Sequence, residues 1–222
     1  MEQIDSQTYF FYGGIIDRKP IGNCYFVYMK NPLKFVEKRL YNPRSYASAA
    51  KHQDFIYVFG GSNIYLEDNN GLLKDCSKYS ILNDYWMTIA MLDKPTYRNS
   101  CSCIFNKIYI VANDFQYALE YDTNKNTYKP TISNGDYIML LLADRWIIKR
   151  DCPELVEITE NGVNTYFMKN YWDSSKWKNL EFQSTVFKRG NYIYLVEHIM
   201  DRPPRIFRLD TFEKQLHCIT KN

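Results

Sequence analysis

No apolar run in this chain is long enough to cross a bilayer: the longest, Tyr137 to Ala143, falls well short of the roughly 18 residues a span requires and suits a buried strand. There is no Asn-x-Ser/Thr sequon, and the opening MEQIDSQTYFFYGG lacks the basic, apolar and small-residue segments of a secretory signal. Neither sign of charge dominates. The 28 Lys and Arg against 25 Asp and Glu leave a net charge of +3, too balanced for a nucleic-acid or membrane binder driven by electrostatics. Histidines are scarce (His52, His198 and His217), and there is no P-loop, G-x-S-x-G or H-E-x-x-H. The 6 cysteines lie mostly inside apolar segments, so reduced, buried thiols of an intracellular, cytoplasmic protein are expected rather than structural disulfides. No 3.6-residue helical period is sustained anywhere.

What the chain does have is a repeat. Aromatic residues reach 17%, led by 20 Tyr, a composition that favours the pleated, half-buried surface of a sheet. Five short apolar runs start at Tyr9, Ile56, Ile108, Trp146 and Ile193, separated by 47, 52, 38 and 47 residues. Downstream of each lies a pair of residues seven apart: Tyr28…Phe35, Tyr79…Trp86, Tyr121…Tyr128, Ile158…Thr165 and Leu209…Leu216. A supersecondary unit recurring at this period marks a repeat architecture. The constant seven predicts an outer hairpin fixed by packing.

Within the second unit, the small-residue stretch Tyr46–Ala50 precedes a turn at Lys51–Asp54, the strand Phe55–Phe59 and the pair Gly60-Gly61. A Gly pair there permits positive φ and close backbone approach. A loop over 62–75, the strand around Tyr79 and a turn at Leu82-Asn83-Asp84 complete four short antiparallel strands. The third unit repeats the pattern from Arg98, the fourth has Lys149-Arg150 where the Gly pair belongs, and the fifth closes the chain. No linker divides the units, so residues 1–222 read as one all-β domain.

An Arg, an IYVFGG strand, a Tyr-Asp and an aromatic seven residues on together resemble the kelch repeat. The matching residues are Arg44, Gly60, Gly61, Tyr79 and Trp86 in unit two; Arg98, Tyr121, Asp122 and Tyr128 in unit three; Gly13, Gly14, Tyr28 and Phe35 in unit one. The fifth unit keeps Leu209, Asp210 and Leu216. The resemblance implies a kelch-like β-propeller of about five four-stranded blades that stack face to face. Kelch propellers usually have six or seven blades. Either Glu2–Asp5 supplies a first strand and five blades close the ring, or the ring is incomplete and needs a partner.

No set of side chains assembles a recognisable reaction centre. His52 is expected as a solvated turn residue, His198 and His217 as too few for a metal, and Cys101 and Cys103 as small residues on an inner strand. The stretch from Tyr171 to Lys178 reads as aromatic packing, and Lys30, Lys34, Lys38 and Arg39 as a solvated outer strand. The expected function is therefore that of a non-catalytic protein–protein interaction scaffold or assembly subunit, with no cofactor and no metal. Its contacts are expected on the connections that follow the first apolar strand of units one, two and five (15–23, 62–75 and 199–204), at Arg18, Tyr65, Glu67, Asp68 and Arg202. The resemblance leaves two alternatives: a kelch-like enzyme (a metal-dependent oxidase or a sugar-modifying type), or a viral or duplicated kelch fragment that mimics a ubiquitin-ligase adaptor.

Overall fold

The computed structural model describes all residues except 1, 31, 40–41, 64–70, 97–98, 113–114, 116, 134–138, 142–144, 150–153, 169–184, 198–204 and 220–222. The described chain is β-strand throughout, with no α-helix. The first blade begins with β1 (Glu2–Asp5) and β2 (Thr8–Tyr12); a small hairpin, β3 (Ile15–Ile16) and β4 (Lys19–Pro20), then precedes β5 (Asn23–Tyr28) and β6 (Lys34–Arg39). Four further meanders follow. They are β7 (Ser48–His52) to β8 (Phe55–Phe59), β9 (Cys76–Ser80) and β10 (Tyr85–Thr88); then β11 (Ser100–Ile104), β12 (Lys107–Val111), β13 (Tyr117–Asp122) and β14 (Thr127–Ser133). The last two are β15 (Met139–Leu141), β16 (Trp146–Lys149), β17 (Glu154–Thr159) and β18 (Gly162–Phe167), and β19 (Thr185–Arg189), β20 (Tyr192–Glu197), β21 (Arg205–Asp210) and β22 (Gln215–Cys218). Each set of four hydrogen-bonds in sequence order as one antiparallel sheet, apart from the inserted hairpin. These are five β-propeller blades, and the five apolar runs are their second strands. Glu2–Asp5 pairs with β2, so the first blade has its own leading strand.

Contacts gather the chain into two compact units, Met1–Asp114 with Glu120–Lys129, and Phe115–Leu119 with Pro130–Asn222. In the first unit, β8 explains why the second strands are continuously apolar instead of alternating. Ile56 and Val58 point one way, into a core with Phe10, Cys24 and Phe26 of the first blade. Tyr57 and Phe59 point the other way and meet the edge of Tyr121 in the third blade, at 5.8 and 5.7 Å between ring centroids. A strand in the middle of a stack buries both faces, so period-two alternation disappears. In the second unit, Trp146, Ile148 and Leu155 of the fourth blade pack with Ile193, Leu195, Phe207 and Leu209 of the fifth in the same manner.

The seven-residue spacing has a geometric cause. Tyr79 lies directly opposite Trp86, and Leu209 opposite Leu216, across a four-residue turn. The residue after the first member accepts from the turn: Asp122 Oδ1 from the amides of Asn124 and Lys125, and Asp210 Oδ1 from those of Phe212 and Glu213. The residue before the second strand is left-handed, with φ of 57° at Asp84, 55° at Asn126 and 55° at Lys214. That same residue also latches neighbouring blades. Asp84 accepts from Tyr79 and pairs with Lys38 of the first blade at 2.5 Å; Asn126 Oδ1 accepts the Ala90 amide at 2.8 Å; Lys214 Nζ sits 4.2 and 4.4 Å from the ring centres of Trp146 and Tyr166.

Two of the five pairs depart from this pattern. In the first blade Tyr28 faces Lys34 while Phe35 faces Val27, and in the fourth Ile158 faces Val163 while Thr165 faces Val156. The fourth blade turns through only Glu160 and Asn161, with Thr159 opposite Gly162, so its seven-residue match is a coincidence of spacing.

Trp86 is half-buried between the first two blades, its ring 5.2 Å from Tyr79 and 6.4 Å from Phe10, and its Nε1 is buried with no acceptor among the described residues. Trp86→Ala is expected to lower stability by about 2–4 kcal/mol, and Trp86→Phe by under about 1.5 kcal/mol, because no hydrogen bond is lost. Equal losses from the two in denaturant unfolding would contradict this packing. The turn carboxylates add a pH signature. Lys38, and then Tyr79, hold Asp84 below the usual carboxylate range, and the amides of Lys125 and Asn124 do so for Asp122. A depressed folded value contributes stability that is full above the unfolded pKa of about 3.9 and is lost as pH falls through the folded one. The melting temperature of the wild type should therefore fall more steeply below about pH 4 than that of an Asp84→Asn/Asp122→Asn variant. Parallel profiles would show that these turns do not couple to folding.

Candidate interaction surface

The connections that follow the Gly pairs were expected to carry contacts, and in the first unit two of them meet at Arg44. Arg44 lies in the linker between the first two blades and is only 2% exposed. Its carbonyl accepts the Gly14 amide at 3.0 Å, while its Nη1 donates to the carbonyls of Gly60 and Asp75 at 3.0 and 2.9 Å. Nε donates to the Asn42 carbonyl at 3.3 Å, and the Asn42 side-chain Nδ2 in turn donates to Asp75 Oδ2 at 2.9 Å. Burial pulls the guanidinium pKa down, opposed in part by Asp75. One residue thus ties the base of connection 13–22 to the base of connection 60–75 and puts both at one end of their blades.

The glycines are there because nothing larger fits. A Cβ at Gly13 (φ 56°) would stand 2.1 Å from the Arg44 carbonyl oxygen, and one at Gly60 (φ 55°) 2.7 Å from that of Thr96. Gly61 donates to the Thr96 carbonyl at 2.8 Å as Gly14 does to Arg44. Thr96, fully buried after Pro95, therefore takes in the next linker the backbone place that Arg44 takes after Pro43. Arg98, the residue matched to Arg44 by sequence, lies outside the described residues.

From this base the β3–β4 hairpin projects. It turns through Asp17 and Arg18, both left-handed at φ 49° and 63°, and is closed by Ile15 opposite Pro20 and Ile16 opposite Lys19. The Ile21 amide donates to the Gly14 carbonyl and Pro20 is buried, so the stem is anchored. Ile15 and Ile16 are nonetheless 46% and 59% exposed, with Arg18 and Lys19 beside them. Two adjacent isoleucines held out on an anchored hairpin make a small apolar surface, and sequence reasoning passed over them in favour of charged neighbours. The second connection is pinned by bridges between Ser45 and Ser62 and between Ser62 and Leu72. Its tip, with Tyr65, Glu67 and Asp68, lies outside the described residues, as does Arg202. Tyr79, Trp86, Tyr121 and Asp122 fall in the packing and turn roles described above, with Tyr121 donating to Asn126 Oδ1 at 2.7 Å.

A second cluster corrects one expectation. His52 is not a solvated turn residue: it ends β7, is 6% exposed, and its Nδ1 lies 3.3 Å from the Cys103 sulfur on β11. The turn is Gln53-Asp54, one residue pair later than the polar run Lys51–Asp54 implies. Burial lowers the His52 pKa and raises that of Cys103, which the Glu2 carboxylate raises further. Both shifts favour the neutral forms of the pair. Among the described residues, no three His, Cys, Asp or Glu side chains are placed to hold a metal ion, no helix is long and apolar enough to cross a membrane, and Cys24, Cys76, Cys101, Cys103 and Cys218 are free thiols.

No protein-family model matches the chain, and no curated protein does so either.

Removing the Arg44 guanidinium takes a donor from the carbonyls of Asn42, Gly60 and Asp75. Arg44→Met is expected to destabilise by about 2–5 kcal/mol. Arg44→Lys should also destabilise, because a point ammonium does not reproduce the fork. A melting temperature unchanged in both variants would show that the two connections are held by other means.

Proposed function

We propose that the chain is a kelch-like interaction module without catalytic activity, a scaffold or assembly subunit that grips a protein partner through the connections after its Gly pairs. One observation carries the reading: Ile15 and Ile16 stand exposed on an anchored hairpin, flanked by Arg18. Apolar side chains on a pre-ordered element bind with little ordering cost, and the buried core of an interface is apolar with Arg enriched around it. Tyr65, Glu67 and Asp68, in the neighbouring connection, and Arg202, in the connection after the second strand of the fifth blade, are assigned to the same role from the sequence alone. The propeller class is compatible with this role, because blades supply a rigid frame and leave connections free to diverge.

The test is retention of partner proteins from the native source by wild-type chain and by an Ile16→Asp/Arg18→Ala variant. The variant is expected to retain at least about tenfold less, with a melting temperature within about 2 °C of wild type. Equal retention by both would overturn the reading. Stoichiometric copper or iron in purified protein would favour the enzyme alternative instead.

A further inference from the structure

The outer strand of each blade is an edge, and an edge offers unpaired N–H and C=O groups to any chain that lies beside it. Most outer strands here are guarded. β6 carries Lys34, Glu37, Lys38 and Arg39; β14 carries Lys129 and Pro130; β10 and β22 have only four residues each. β18 is different: its six residues, GVNTYF, include neither a charge nor a proline. One side of β18 is paired along its full length with β17, from Gly162 opposite Thr159 to Phe167 opposite Glu154. No strand among the described residues pairs with its other side. Beside it runs a shallow groove of about 540 Å³ lined by Thr165, Tyr166, Phe167, Phe212, Glu213 and Lys214. Phe167 and Phe212 are 73% and 77% exposed on its rim, and Val163 is 43% exposed.

The geometry points to a second copy of this chain as the occupant, its β18 pairing antiparallel with this β18 about a twofold axis at Thr165. This inference rests on the fourth and fifth blades alone and is independent of the proposed partner surface. The sequence of the strand selects the occupant. Centred on Thr165, each Val163 falls opposite the other copy's Phe167 and each Asn164 opposite its Tyr166. Aromatic–β-branched pairs of this kind strengthen antiparallel ladders. Charge selects it too. A twofold contact sets a strand against its own copy, so the same arrangement at β6 would bring Lys34 against Arg39, whereas β18 opposes only neutral groups. The added strand lies along the groove and covers the exposed rings on its rim.

Sedimentation or light scattering on the full chain, from about 1 to about 100 μM, tests this. The mass is expected to rise with concentration toward twice 26.5 kDa. Thr165→Lys and Thr165→Glu each place like charges on the axis and should weaken association by at least about tenfold, while an equimolar mixture of the two should associate again. Recovery in the mixture separates a broken interface from a misfolded variant. For the wild type, hydrogen exchange of the β18 amides should slow at the higher concentration. A wild-type mass of 26.5 kDa throughout, a dimer indifferent to both substitutions, or a mixture that stays monomeric would each overturn the assignment. So would a monomer whose β18 edge takes up only a foreign strand.

Discussion

The first unit depends on one guanidinium removed from water. Burying Arg44 is unfavourable unless its donors are used, and this chain uses them on main-chain carbonyls of the adjoining blade instead of on a carboxylate. Because the same residue's carbonyl takes the Gly14 amide, its conformation is set from both blades at once. Gly13 and Gly60 then follow as requirements. The backbone approaches so closely at these points that a side chain has nowhere to go.

The outward end of three of the five blades solves a related problem by different means. In the second, third and fifth blades a four-residue turn closes the last two strands, and its left-handed residue reaches to the neighbouring blade as a carboxylate at Asp84, a carboxamide at Asn126 and an ammonium at Lys214. Across these three blades the chemistry changes while the turn backbone does not. This is how a repeat diverges without losing its fold: backbone geometry is shared, and each latch is tuned to the blade it meets.

Much of the architecture was legible in the sequence. The five apolar runs mark the five second strands, and in the second blade the reason is plain: Phe55–Phe59 is buried on both faces and must be apolar throughout. The Gly pairs and the Tyr79…Trp86 spacing were legible for the same reason, since each reports a backbone constraint. What was not legible depends on neighbours. Nothing in Lys51–Asp54 tells that His52 lies inside facing Cys103, because polar runs and turns look alike until the adjoining strand is placed. The hairpin over Ile15–Pro20 carries no Asn-Gly or Asp-Gly signal; its turn puts Asp17 and Arg18 in a conformation that neither residue advertises. Thr96 was missed because its role belongs to its carbonyl, which every residue has.

The central claim is that Arg44 couples two connections far apart in sequence, so that neither is ordered without the other. Residue-resolved hydrogen exchange on wild type and Arg44→Met under native conditions tests it most directly. The account predicts faster exchange in the variant at both Gly14 and Ile21 in the first connection and at Gly61, Asn63 and Leu73 in the second, with the β8 strand amides unchanged. Faster exchange confined to one connection, or none at either, would contradict it.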